Sequence, residues 1–359
     1  MRNYLCISID GLQSGMVGAY GNTWIQTPTL DSLASQSAVF DRFYASSMDL
    51  PNIFTELWQF PQGYHKILLT DDTEVFLHEN ADLFDEKHRL ESKRRTRPAG
   101  KIEDTQFFRN MATTADLLRN QTGKPFFLWA HCAGFRGVWD FPLSYRRRYQ
   151  IDEDPDPYAG VALPEFFGEK KLAPDVKQSV LEAYSGGVAA LDEALAGLLA
   201  FLDESNLTQN TDMLFMATRG FSLGEHNTIG NNGALYGENV HLPLFIRFHD
   251  GTFAGFRSQT LFQPADVFGL FCNRHSDVLP EEPDDVHPFL CIGDDVFITP
   301  DWFMYQKPVG DELYVKPDDH GEINDVADRC PHVLEQIEDM LRSVKAKTVD
   351  AAIPAKAGV

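Results

Sequence analysis

Three places in this chain set reactive side chains at the end of short apolar runs. Asp10 follows residues 4–9 (YLCISI), His131 closes residues 125–131 (PFFLWAH), and Thr218-Arg219 follows residues 213–217 (MLFMA). A carboxylate, an imidazole and a guanidinium can do acid–base work, hold a cation or contact an anion, depending on which of them meet. The simplest reading pairs Asp10 with Arg219, because buried charges need compensation. His131 reads most simply as a hydrogen-bonded structural histidine. The five cysteines, Cys6, Cys132, Cys272, Cys291 and Cys330, lack CxxC spacing, so reduced thiols are expected rather than a thiolate metal site.

These groups form a site only if the elements before them end at one edge. The runs at 4–9, 64–70, 125–131 and 213–218 are short, apolar and strand-like, and they alternate with helical periodicity at 29–36 (with Pro28 at its start), 113–119 and 179–204. Near-continuous apolar strands alternating with helices predict an α/β fold with a mostly parallel sheet covered by helices on both faces. Ligands of such sheets bind beyond the carboxyl ends of the strands, which makes Asp10, His131, Thr218 and Arg219 candidates for one site. After residue 285 the texture changes to strand-like pieces at 290–292, 296–299 and 313–315 and a helix at 331–344. The expected organisation is an α/β domain over 1–284, a small α+β subdomain over 285–344 packed on it, and a flexible tail over 345–359. The basic run within 86–104 (KHRLESKRRTRPAGK) reads as an exposed helix or mobile loop.

Composition narrows the partners. Hydrophobic residues at 43% and charged residues at 23% suit a globular chain with a sizeable core. The 53 acidic against 31 basic residues give a formal charge of −22, which repels phosphate backbones and anionic membranes. Nucleic acid and membrane are therefore not expected as partners; the partner itself stays open, a protein or a second copy of the chain among the candidates. No export signal and no run of roughly 18 apolar residues is read from the sequence, so a cytoplasmic location is expected.

The stretch SIDGLQSGMVGAYGNTWIQTPTLDSLASQSAVFDRFYASS, with its YGN turn, its TPTLD helix start and its FDRFYASS lead-in, resembles the opening of sulfatases, members of the alkaline-phosphatase-like superfamily. FMATRGFSLGEHNTIGNNGALYGENVHLPLFIR resembles the family's second metal-binding block, and DELYVKPDDHGEINDVADRCP its C-terminal segment. The resemblance covers essentially the whole chain. It implies the sulfatase fold, a Ca²⁺ or Mg²⁺ ion held by paired acidic and amide or imidazole ligands, and a nucleophile converted to formylglycine.

At the matched positions those groups are replaced. Of the metal ligands Asp10 remains, but Gly11 stands beside it and Thr218-Arg219 replaces the later pair; an Arg cannot ligate a cation and would bring its own charge to the ion's place. In the nucleophile motif Pro51 fixes the register, which places Asp49 at the nucleophile and Ile53 at the assisting Arg. His131 persists as the first His of its block, Arg136 stands at the leaving-group His, and Asn232 at the family's Lys. The Gly-Lys-Trp-His stretch has no counterpart, and the segment between residues 53 and 65 is shortened. Asp49 is a candidate third partner for the pair of Asp10 and Arg219, Arg136 and Arg219 are candidates for a metal-free anion pocket, and His226 is expected to brace its loop.

The resemblance with these losses implies a sulfatase-like pseudoenzyme with a binding or structural role and no cofactor. The alternative is an active metal-dependent hydrolase of sulfate or phosphate esters with a non-standard site, in which Asp49 would be the nucleophile. A remnant without a ligand is a third reading.

Overall fold

The computed structural model describes residues 2–92, 95–121, 124–168, 170–230, 233–272 and 287–352, with side chains to residue 342. Asn232, the expected domain boundary at 284/285 and residues 353–359 therefore lie outside the described residues.

The strands in chain order are β1 (Asn3–Ile9), β2 (Ala38–Phe40), β3 (His65–Thr70), β4 (Glu86–Arg89), β5 (Phe126–Cys132), β6 (Thr211–Ala217), the short pair β7 (Ser222–Leu223) and β8 (Ile229–Gly230), β9 (Leu244–Arg247), β10 (Arg257–Ser258), β11 (Leu290–Ile292), β12 (Val296–Ile298), β13 (Trp302–Tyr305) and β14 (Glu312–Val315). Eight of them form the central sheet in the order β10-β2-β9-β6-β1-β5-β3-β4. Pairing is parallel from β6 through β4, and β9 runs antiparallel to both β6 and β2. β1, β5 and β6 are buried along nearly their whole length, as strands covered on both faces must be.

Helix Pro174–Glu204 lies against this sheet. By length and mean composition alone it could cross a membrane, and 67% of its most apolar window is buried in this fold. Its small residues explain its close packing: a Cβ on Gly186 would come within 2.5 Å of the Arg146 backbone, and one on Gly187 within 2.8 Å of Phe135 and Phe141. Helix Gln106–Arg119 begins seven residues before the expected start, because Thr105 accepts a hydrogen bond from the Phe108 amide and caps it there.

The strands β11 to β14 form a separate antiparallel sheet. Its alternation sorts the two faces. Val296, Ile298, Phe303 and Tyr314 join the main core, while Phe297, Met304 and Leu313 pack with Val333 and Ile337 of the terminal helix. That helix spans Pro331–Ala352, so it runs past the expected stop at Val344. The basic run also differs from expectation: its first residues form edge strand β4, paired parallel to β3. An edge strand bearing Lys87, His88 and Arg89 discourages further strand pairing.

Candidate functional site

The register of the central strands places the candidates side by side. Ser8 lies opposite His131 in β5 and Met216 in β6, and Ile9 lies opposite Cys132 and Ala217. The ladder continues one step further: the Asp10 amide donates to the Cys132 carbonyl at 2.9 Å, the Thr218 amide to Ile9 at 3.1 Å, and the Gly11 amide to Arg219 at 2.8 Å. Asp10 therefore emerges between β5 and β6, at the carboxyl edge.

Asp10 is 1% exposed, and both of its oxygens are engaged by the protein. Oδ1 accepts from Thr218 Oγ1 at 2.9 Å and from Arg219 Nε at 3.0 Å, and Oδ2 accepts from Arg219 Nη2. This is a two-pronged guanidinium–carboxylate pair. Burial pushes the Asp10 carboxyl up, but the charge and hydrogen bonds of Arg219, helped by Arg136, outweigh it and hold the group below the usual carboxylate range. Burial likewise opposes the charge on Arg219, and Asp10 more than restores it.

The third partner differs from the expected one. Arg219 Nη1 donates to the Met48 carbonyl at 2.9 Å, whereas the Asp49 side chain is exposed and accepts from Asn52 at 3.1 Å. Asp49 sits at the N-cap position of helix Leu50–Leu57, where chain direction turns its carboxylate outward while Met48 C=O faces the strand ends. Ile53, at the matched Arg position, is fully buried in the main core, one helical turn inside.

Gly11 is held at φ +81°, and a Cβ there would approach Phe135 Cβ at 2.9 Å and Arg136 Cγ at 3.1 Å. A carboxylate at this position would need both the backbone and the Arg136 stem to move. The matched ligand position is thus closed by geometry as well as by residue type.

Arg136 enters from the turn after β5. Its side chain is 5% exposed, its Nε donates to the Gly220 carbonyl at 3.1 Å, and the same Nε lies 3.9 Å from Asp10 Oδ1. Burial pulls its guanidinium down to about 10, with Asp10 opposing and Arg219 assisting, so it is charged at neutral pH. His131 is fully buried; its Nδ1 lies 2.9 Å from Ser8 Oγ, and its ring stands edge-on to Phe54 at 5.0 Å. Desolvation lowers its basicity, although Asp72 and Asp10 partly offset this.

Two residues the sequence reading passed over complete the surroundings. β3 also ends at this edge, and Asp71 and Asp72 follow it. Asp71 accepts the Ala133 amide at 2.7 Å and is raised to about 6 by burial. Asp72 caps helix Thr73–Phe76, and its charge acts on both His131 and Arg219. The same strand-end rule that selected Asp10 would have selected them.

His226 braces its loop as expected. Its ring nitrogens lie 3.2 Å from Glu238 Oε1 and 3.0 Å from the Glu322 carbonyl, and it stacks on Tyr236.

The residues present do not fit a divalent cation. Such an ion takes about six or more oxygen ligands, whereas both oxygens of Asp10 are already bonded by Arg219 and Thr218, and among the described residues no cluster of three or more His, Cys, Asp or Glu could hold a metal. Asp49 cannot become formylglycine, which requires a Cys or Ser precursor.

A mostly parallel sheet sandwiched by helices, with the polar site at its carboxyl edge and a small terminal sheet, is the architecture of the alkaline-phosphatase-like superfamily. The sulfatase family model matches residues 54–271, and the chain belongs to that family. The matched span begins after Asp10, Gly11, Asp49 and Ile53. Among solved structures the chain is similar to the phosphonate monoester hydrolase of Agrobacterium radiobacter (TM-score 0.74, 16% identity, 97% of this chain and 96% of that one). It is also similar to a protein solved with its substrate D-glucosamine-2-N,6-O-disulfate (TM-score 0.71, 16% identity, 99% and 100%). At these identities the likeness shows the fold alone. Among curated proteins it is 27% identical over 173 residues to the multifunctional alkaline phosphatase superfamily protein PehA of Trinickia caryophylli, covering 41% of this chain and 32% of that protein. It is 28% identical over 105 residues to the N-acetylglucosamine-6-O-sulfatase of Bacteroides thetaiotaomicron, covering 29% and 19%. The alignments thus span about a third and a fifth of these relatives.

Proposed function

We propose that this sulfatase-family chain is a pseudoenzyme with a binding role, in which an internal ion pair replaces the metal centre. The observation that carries the reading is the Arg219 guanidinium bonded through Nε and Nη2 to both oxygens of Asp10. For a cation to take Asp10, this pair would have to open and leave Arg219 and Arg136 without their carboxylate in a site where all three side chains are nearly inaccessible. Uncompensated charge of that kind costs several kcal/mol.

Hydrolysis by the family's route also needs a nucleophile and stabilisation of developing charge. Asp49 faces solvent, Ile53 is apolar, and the nearest guanidinium is already committed to Asp10. Loss of even one stabilising donor typically costs about 10²–10³ in rate, and losses within one constellation leave activity near background.

Turnover of a chromogenic sulfate, phosphate monoester and phosphonate monoester tests this, each with added Ca²⁺, Mg²⁺ or Mn²⁺; the phosphonate is included because solved relatives carry that activity in their names. The expected result is no rate above an Asp10→Ala, Asp49→Ala control and no stoichiometric divalent metal in the purified protein. Turnover that disappears in the control would establish an active hydrolase and end the pseudoenzyme reading.

A further inference from the structure

A cavity of about 480 Å³ opens at the seam between the α/β core and the terminal sheet. Its walls come from the turn after β1, the segment after β2, helix Gly237–Val240 and the stretch at 316–321 that follows β14. Among the described residues, none of the positions matched to the family's catalytic or metal-binding groups lines it. Its volume lies in the usual range of small-molecule sites, and a seam between structural units is a common place for one.

Several charged groups on these walls are already matched. Arg257 donates through Nε and Nη2 to both oxygens of Asp41, and Lys316 pairs with Glu322. His241 is neutral at pH 7, because burial pulls it down to about 4, and its Nε2 lies 2.7 Å from the Asp41 carbonyl. Three other wall groups are not matched. Arg42 donates through Nη1 to the Pro300 carbonyl at 2.9 Å, and among the described residues no carboxylate pairs with it. Glu225 Oε2 accepts the Leu223 amide at 2.5 Å but has no ion-pair partner among those residues, and neighbouring Glu238 has only the His226 ring. Tyr44 is 6% exposed, yet its hydroxyl has no hydrogen-bond partner among the described residues.

A buried hydroxyl without a partner is rare and calls for one. Tyr44 and Arg42 follow the same strand, and the Arg42 charge acts on Tyr44, so their donors serve one part of the wall. Donors of that kind, one of them a guanidinium, suit a carboxylate. Glu225 and Glu238 form the second part. Burial pushes the Glu225 carboxyl up, and the Glu238 charge adds to this, so an ammonium placed between them relieves both. A simple anion would gain Arg42 and meet two like charges; a simple cation would gain the carboxylates and meet Arg42. A molecule bearing both charges satisfies both parts, which is discrimination by repulsion as well as by attraction.

We propose that this cavity binds a small zwitterion, an amino acid or short peptide, whose carboxylate meets the Arg42 guanidinium and the Tyr44 hydroxyl and whose ammonium meets Glu225 and Glu238. The Tyr44 ring, stacked on His241 at 5.0 Å, offers a flat face to the rest of the ligand. Arg42 is already held by Pro300 and the Tyr44 ring by His241, so little ordering cost remains. Because the walls come from both the core and residues 316–321, the ligand also ties the terminal segment to the core. The site goes beyond the pseudoenzyme reading and does not depend on it.

The full chain is titrated by calorimetry with glycine, L-phenylalanine and L-alanyl-L-alanine, and with acetate and methylamine as single-charge controls. Saturable binding of at least one zwitterion is expected, roughly tenfold or more tighter than either control. Tyr44→Phe, which removes the hydroxyl and keeps the ring, and Glu225→Gln should each weaken it by about tenfold, and Arg42→Met by at least as much. Hydrogen exchange in residues 316–321 should slow on binding, while that in helix Gln106–Arg119 stays unchanged. If Arg42→Met does not fold, Tyr44→Phe and Glu225→Gln carry the test. No saturable binding of any of the three zwitterions would overturn the proposal, as would controls that bind equally well or an affinity unchanged in the variants. Ester turnover with zwitterion binding intact would overturn the pseudoenzyme reading alone, so the two failures are distinguishable.

Discussion

Asp10 and Asp71 end neighbouring parts of the same sheet edge and titrate in opposite senses. Asp10 is held below its ordinary range by Arg219 despite burial, so its contribution to stability is present above the unfolded value and lost as pH falls through the lowered one. Asp10→Asn leaves two buried guanidinium groups short of a counter-charge, and urea denaturation at neutral pH should show a loss of about 3–5 kcal/mol; a loss under about 1 kcal/mol would mean the pair is dispensable. Asp71 is raised to about 6 by burial, so the folded protein prefers it protonated. Its contribution is fully present below the unfolded value and declines as pH rises through about 6. Asp71→Asn keeps an acceptor for the Ala133 amide and removes the ionisation. Its melting temperature relative to wild type should therefore be higher at pH 7.5 than at pH 4, and an equal difference at both would show that folding does not raise the Asp71 pKa.

Helix Pro28–Ser35 illustrates how a sequence signature is explained one scale up. Its N-cap residue Thr27 makes no side-chain cap; the Thr27 hydroxyl bonds Asp31 instead. The open amides of Thr29 and Leu30 donate to Asp192, at 3.1 and 2.8 Å, from the middle of helix Pro174–Glu204. TPTLD and Leu191-Asp192, 162 residues apart by the Leu30 contact, are two halves of one cap. Asp192→Ala should cost about 2 kcal/mol and raise hydrogen exchange in residues 28–35, with Asp192→Asn intermediate. Unchanged exchange in that helix would refute the shared cap.

For the molecule as a whole, the terminal sheet is fastened by Glu322. Although 2% exposed, it accepts from the Gly237 amide at 3.0 Å and pairs with Lys316, while its carbonyl meets His226. Burial opposes charge on His226, but the Glu238 carboxylate and the Glu322 carbonyl outweigh it and hold its basicity above the usual imidazole range. Glu322→Ala should accelerate exchange in residues 290–315 and 237–240 while leaving 126–132 unchanged. Equal protection in all three segments would show that apolar packing alone holds the sheet.

Much of this architecture was legible beforehand, because apolar runs bounded by turn residues and helices announce buried parallel strands: β1, β3, β5 and β6 were read within two residues of their ends. Short strands such as β2 and β9 were not, since three or four apolar residues carry no period of their own and become strands only when neighbours supply the hydrogen bonds. At the site, residue types alone determined that a guanidinium stands where a cation's ligand would be, because no fold can make Arg a ligand. Only the tertiary structure decided that Arg219 takes both oxygens of Asp10, that Met48 C=O rather than Asp49 completes it, and that Arg136 is left with unmatched donors. Those outcomes depend on where a backbone carbonyl points and on which lone pairs are already used, quantities set by packing among residues 84 to 209 positions apart and by no local pattern in the chain.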